Sequence, residues 1–306
     1  MKPLIFLLSC LAVETLSLGA RAEPNRVLVL KSADFSTYSS VQAGFLSELD
    51  GESFSAVVGQ NEADWSHTHP ILVFAIGPTA AVRARQTFAK SALIFSMVPH
   101  FEKYSLEGPN ITGIALSPRN DSVLESFKAA APELKRIGIV YDPRYSAGTV
   151  QDAQDAASQR ALTLVPIEAD SLGRAERALR NEAGRLDGMM MVADKTAAQV
   201  DMVKRIVEFC QEQRIPFFGL SASQVKEGAA YALSPNYLGI GQQAGRLAKR
   251  ILKERILPSS LPIAHPEMME FSVNLGVLHR LQAKCDAEAG VFTLAARKGY
   301  LIKVYE

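Results

Sequence analysis

Short apolar, β-rich runs alternate along this chain with longer stretches of helical period. Runs at 26–30, 54–58, 71–76, 92–97 and 111–116 predict strands, and apolar spacing of three and four residues over 37–49 and 79–88 predicts helices. After a helix expected over 121–131 the cycle restarts, with strands at 136–141, 162–167, 188–192 and 216–219 and helices at 148–161, 172–185 and 196–213. Such βαβ alternation implies largely parallel sheets. The architecture occurs twice, so the expected fold class is α/β with two Rossmann-like lobes. No low-complexity tract separates the cycles, which predicts lobes joined closely and by more than one crossing. The stretch 231–235 leads into a helix over 237–254, and 261–273 reads as extended chain that returns between the lobes. Lobe 1 is therefore expected over 23–118 and lobe 2 over 119–234, each with part of 235–290. The tail 291–306 alternates partly over 300–305, which suits an added edge strand or a mobile end.

The N-terminus bears on compartment. Met1 and Lys2 precede an apolar run over 4–13, and Ala20, Arg21 and Ala22 form the small-x-small pattern of a signal-peptidase site before Glu23. The run is shorter than the roughly 20 residues a bilayer span needs. Residues 1–22 therefore read as a cleaved signal peptide, and the mature protein as periplasmic. Leu7, Leu8, Ser9 and Cys10 loosely match a lipobox, the alternative being lipidation at Cys10 and a tethered protein.

Composition narrows the partners. The chain has 306 residues, 48% of them hydrophobic, enough to bury a sizeable core. Lys and Arg total 33 against 32 Asp and Glu, so no global field attracts nucleic acid or an anionic surface. Beyond the leader, Cys210 and Cys285 are the remaining cysteines. Either they pair in an oxidising compartment or Cys210, among apolar helix positions, is a buried free thiol.

In parallel α/β sheets the strand C-termini converge on a crevice where helix N-termini offer free N–H groups. On the first lobe this singles out Ser32, Asp34 and Ser36 after the first strand, Gly77, Pro78 and Thr79 after the third, and Ser96 and Met97 at the end of the fourth. The Gly-Pro-Thr turn suits a ligand carboxylate, or serves as a helix cap alone. On the second lobe it singles out Tyr141, Asp194 and Ser221. Asp194 is placed to meet an ammonium group or to cap the following helix, and Tyr141 to cover an apolar ligand part or to pack at the cleft edge.

Several stretches resemble a known family. Ala75-Ile76-Gly77-Pro78-Thr79-Ala80-Ala81, Gly108-Pro109-Asn110-Ile111-Thr112-Gly113 and Pro132 to Tyr141 are similar, in order and spacing, to elements of the periplasmic ABC-transporter substrate-binding proteins. So are Gly228-Ala229-Ala230, Ser234-Pro235-Asn236-Tyr237-Leu238-Gly239, Leu252-Lys253 and Val273-Asn274-Leu275. The likeness covers about 27–281. Its aromatic-amino-acid-type members imply a type I periplasmic-binding-protein fold and capture of an amino-acid-like small molecule for an ABC permease and ATPase complex in the inner membrane. The resemblance also favours binding at the Gly77-Pro78-Thr79 turn. Where that family commonly carries Asp-Pro after the fourth strand, this chain has Val98-Pro99-His100. A periplasmic sensor module is the alternative role, and an exported enzyme a more distant one.

Other motifs are set aside. Gly239, Ile240, Gly241 and Gly245 imitate a dinucleotide fingerprint but fall inside a predicted helix. Gly219-Leu220-Ser221-Ala222-Ser223 opens like a nucleophile elbow yet lacks the final Gly. Asp64, His67 and His69 are read as a surface loop and Met189-Met190-Met191 as buried strand. No cofactor, metal or catalytic residue is expected, and closure of two lobes on a ligand is the expected mechanism.

Overall fold

A computed structural model describes residues 25–52, 54–59, 68–281 and 286–306. The signal peptide with its cleavage site and Cys10, as well as Asp64, His67 and Cys285, lie outside the described residues.

The first half builds β1 (Asn25–Lys31), α1 (Ser36–Leu49), β2 (Phe54–Gly59), β3 (Leu72–Ile76), α2 (Pro78–Thr87), β4 (Ala92–Ser96) and β5 (Ile111–Gly113). These strands form a parallel sheet in the order β2-β1-β3-β4-β5. Helices cover both faces, so the strands read as continuous apolar runs rather than alternating ones. Val27 and Val29 enter one core with Phe74 and Ile76, while Leu28 and Leu30 enter the other with Val73 and Ala75. That division follows from the period of two along a strand.

The second lobe follows with α3 (Asn120–Ala130), β6 (Arg136–Tyr141), α4 (Pro143–Ser158), β7 (Thr163–Glu168), α5 (Leu172–Asn181), β8 (Gly188–Met190), α6 (Val200–Gln213), β9 (Phe217–Gly219), α7 (Ala222–Glu227) and β10 (Tyr231–Pro235). Helix α8 (Tyr237–Lys253) returns to the first lobe, and β11 (Met269–Asn274), α9 (Leu275–Arg280), α10 (Asp286–Lys298) and β12 (Leu301–Tyr305) complete the second. Its sheet has seven strands in the order β12-β11-β10-β9-β8-β6-β7, parallel except where β10 meets β11. Phe218 centres one core, with Phe127, Tyr231 and Phe271 rings at 5.3, 6.0 and 5.9 Å.

Of the two readings of the tail, the edge strand is the one formed. β12 runs parallel to β11, and α10 lies on α3, where Gly290 approaches the Ala129 carbonyl too closely for a Cβ. The α10 helix was not expected from the pattern. Of the fingerprint-like glycines, Gly241 and Gly245 face Val41 and Glu48 of α1 while Gly239 meets Met268; a Cβ on Gly241 would overlap the Val41 carbonyl, and one on Gly44 the Leu238 carbonyl, so α1 and α8 touch backbone to backbone.

Three segments cross between the sheets. The first, after β5, is tied to the third through Ala115 N–H to the Ala264 oxygen at 2.8 Å and Ala264 N–H to the Gly113 oxygen at 2.9 Å. Asn236 N–H of the second donates to the Met268 oxygen of the third at 2.9 Å. Buried Gln243 on α8 clamps the third, its amide donating to the His265 oxygen at 3.0 Å and accepting from Glu267 N–H at 3.2 Å.

Candidate functional site

Strand order fixes where the site lies. In the first sheet the order reverses between β1 and β3, and in the second between β6 and β8. Such switch points leave a gap above the strand C-termini that no crossover helix covers. Ser32 and Gly77 flank the first gap, Asp142 and Asp194 the second.

At the first gap Gly77 has φ 93°, a conformation that costs an L side chain, and a Cβ there would lie 2.6 Å from Ser32 Oγ and 2.7 Å from Tyr38 Oη. Pro78 opens α2 with a preset φ and Thr79 stands exposed behind it. Ser32 Oγ accepts the Ala80 N–H at 2.9 Å, so this hydroxyl serves α2 as a cap supplied from another strand. Asp34 is turned to Lys31 at 2.9 Å, which lowers its carboxyl pKa, and Ser36 is exposed at the start of α1. Phe35, 61% exposed, lies edge-on to Tyr38 at 5.4 Å and gives this rim an aromatic surface. Burial raises the Tyr38 phenol pKa. Ser96, Met97 and Val98 are all buried, Met97 and Val98 within the cores, so the exposed rim after β4 begins at Pro99.

The second gap is bound together by its own carboxylates. Asp194 is 2% exposed; Oδ1 accepts from Thr196 and Ala197 N–H, both at 2.8 Å, and Oδ2 from Asp142 N–H at 3.2 Å. Of its two expected roles, the cap is the one this geometry shows. Asp142 accepts from Arg144 Nε at 3.0 Å and Nη2 at 2.6 Å and from Thr196 Oγ1 at 2.8 Å. The Arg144 guanidinium holds its carboxyl well below the usual range. Tyr141 packs its ring in the core and donates to Glu168 Oε1 at 3.1 Å, the edge-packing alternative. What this rim exposes instead is Tyr145, with Arg144 and Lys195 over its ring at 5.6 and 5.4 Å.

Among the described residues, two hollows take lining from both lobes. One, of about 390 Å³, is lined by Ser40, Ser221, Ser223, Tyr237, Glu270 and Lys303 among others, beside the second crossing. Ser221 Oγ shares a 2.8 Å hydrogen bond with Ser223 Oγ there. Burial and Glu270 raise the Tyr237 phenol pKa. The other, of about 270 Å³, lies beside the first and third crossings and receives Val98 to Glu102 after β4, Thr149 and Asp152 of α4, Met190 to Ala193 after β8, and Leu220. Its β4 loop holds Met97, His100 and Ser105 at φ 57°, 49° and 50°. Left-handed backbone costs a non-glycine residue about 1–2 kcal/mol and persists only where surroundings impose it.

Of the residues expected at the site, Ser221 enters these hollows, while Ser32, Asp34, Ser36, Gly77, Pro78 and Thr79 lie on the first-lobe rim outside them. Phe35, Tyr38, His100 to Glu102, Tyr145, Thr149 and Asp152 were not expected. The aromatics carry no signal beyond proximity to strand ends, and Thr149 and Asp152 lie too far into α4 for a strand-end rule. Among the described residues no group of three His, Cys, Asp or Glu is placed to hold a metal, and no helix is long and apolar enough to cross a membrane.

A profile of ABC transporter substrate binding proteins matches residues 69–293. The chain belongs to this family. The match begins later and runs further than the stretch 27–281 on which the resemblance rested. A curated relative, a tyrosine-binding protein of Clostridioides difficile (strain R20291), is 21% identical over 250 residues, covering 81% of this substrate-binding protein and 68% of the relative. The ligand-free, open structure of a substrate-binding protein with adhesive properties from Clostridium difficile aligns at TM-score 0.74 and 20% identity, covering 92% of this chain and 100% of that one. An ABC domain from Streptococcus pneumonia in complex with L-Trp aligns at TM-score 0.58 and 18% identity, covering 90% and 100%. These alignments establish the periplasmic-binding-protein fold for this family member. Proteins of this kind bind small ligands and deliver them to ABC transporters.

Proposed function

We propose that this substrate-binding protein captures an amino-acid-like solute between its lobes in the periplasm and presents the closed form to an ABC permease and ATPase complex in the inner membrane. The observation that carries the reading is a pair of α/β sheets, each with a strand-order switch point, joined by three crossings beside hollows lined from both lobes. The tyrosine-binding relative and the L-Trp complex support an amino-acid-like ligand. The signal-peptide pattern ending at Ala22 supports export. No covalent step is needed, since a ligand touching both rims stabilises the closed state by contacts the open state lacks.

Gly77, Pro78 and Thr79 are the proposed first-lobe contacts, with an exposed hydroxyl at the start of α2. Ser221 is proposed from the second lobe, with Tyr145 as an aromatic wall. Titrating the mature chain with amino acids and related metabolites, followed by thermal shift and small-angle scattering, tests this. A ligand should raise the midpoint and reduce the radius of gyration, and Thr79→Ala should weaken it. Failure of every small metabolite to move either quantity in a folded sample would sink the capture reading.

A further inference from the structure

The hollow of about 390 Å³ holds a paired carboxylate and ammonium beside a buried hydroxyl. Ser234 stands opposite Glu270 across β10 and β11, and Ser272 opposite Lys303 across β11 and β12. The two-residue period of a strand therefore sets Ser234, Glu270 and Lys303 on one face of the sheet. Ser234 lines the hollow at 7% exposure, and its hydroxyl makes no hydrogen bond among the described residues. A buried polar group of this kind calls for a partner, and a bound molecule supplies one. Lys303 Nζ meets Glu270 Oε2 at 2.8 Å, the Glu270 side chain being 12% exposed. Glu270 Oε1 and two of the three Lys303 donors have no partner among the described residues. Tyr237 adds a half-buried phenol, and Ser40 of α1 borders the hollow from the first lobe.

A lone carboxylate or a lone amine at such a pair is attracted by one member and repelled by the other. A zwitterion laid antiparallel to the pair gains from both, its ammonium donating to Glu270 Oε1 and its carboxylate accepting from Lys303. The two charged groups of an α-amino acid sit on one carbon, and Nζ and Oε2 lie only 2.8 Å apart, so one head group reaches both. We infer that Glu270 and Lys303 read the zwitterionic head group of the solute, with the Ser234 hydroxyl bonded to it. This deepens the amino-acid-like capture reading and rests on it. Lys303 lies on β12, beyond the 69–293 match to the family profile, so the tail of this chain supplies half of the recognition.

Calorimetry on the mature chain compares L-tyrosine, L-tryptophan and L-leucine with the amine and the acid of the same body: tyramine and 3-(4-hydroxyphenyl)propionate, tryptamine and indole-3-propionate, isoamylamine and 4-methylpentanoate. The amino acid bound most tightly in the metabolite titration joins them with its own two analogues. Within a binding series the amino acid should be at least about tenfold tighter than either analogue. Lys303→Met should weaken the amino acid about tenfold and spare the amine, whereas Glu270→Gln should weaken it equally and spare the acid. Ser234→Ala removes a hydroxyl bonded to nothing in the unliganded chain, so the melting point should hold while amino-acid affinity falls about threefold. That variant keeps the test open if either ion-pair variant melts early. Tightest binding by an amine or an acid overturns the assignment. So does amino-acid affinity that is unaltered in Lys303→Met and Ser234→Ala but lost in Thr79→Ala, which would seat the head group at the α2 turn. Either result leaves capture between the lobes standing, whereas no binding by any compound here or in the metabolite titration removes both readings.

Discussion

Asp142 and Asp194 sit one residue and a few residues beyond their strands, where a ligand rim is expected, yet both point inward and satisfy backbone donors and each other's loops. Asp142 should contribute to acid stability in a definite direction. Its carboxyl pKa is depressed in the folded state, chiefly by Arg144, so its contribution is fully present above the ordinary carboxylate value of about 4 and is lost as pH falls toward the folded value. Melting points recorded from pH 7 to pH 2.5 should therefore fall less steeply for Asp142→Asn than for wild type, although the variant starts lower. At Cys210 burial pushes the thiol pKa far up, so iodoacetamide should leave it unmodified in the folded protein and label it in guanidinium, as peptide mass mapping would show. Strand-end logic located these rims in the sequence. Which way each side chain turned was not legible, because an aspartate serves equally well as a cap or as a ligand group and the choice depends on a loop 52 residues away.

Helix and strand placement was largely legible, with differences at the ends. The helix expected over 148–161 begins at Pro143, since the Asp142 side chain caps it from before the apolar period starts, and the one expected over 196–213 begins at Val200, after the turns that Asp194 holds. α7 and α9 are six residues each, too short for a periodic signal. α10 runs unbroken through Gly290, a residue of poor helix propensity that makes sense only against α3. The α1/α8 seam shows the same dependence. Gly241→Ala places a methyl against the Val41 carbonyl, and a cost of about 3 kcal/mol is expected. Chemical denaturation should show a lower midpoint with an unchanged slope. An unaltered midpoint would mean that the helices separate freely to admit the methyl.

Across the molecule, the crossings decide how the lobes move. Gln243 ties the third crossing to α8 of the first lobe, leaving Asn236 and Met268, joined by a single hydrogen bond, as the place where that pair of strands passes to the second lobe. Gln243→Ala removes both hydrogen bonds to a part-buried carbonyl and N–H, and a loss of about 1 kcal/mol is expected. Hydrogen exchange should then rise at Glu267 while β11 stays protected. Protection unchanged at Glu267 would show that the clamp does not hold the crossing. The sequence by itself determined the two α/β cycles, the strand ends that form the rims and the close, multiple connection of the lobes, because periodicity and turn chemistry are local properties. The tertiary structure alone decided that Asp194 and Tyr141 face inward, that the tail completes the second sheet, and that Lys303 of that tail meets Glu270 beside one hollow. Burial, register and charge pairing between distant segments exist only once the chain has closed on itself.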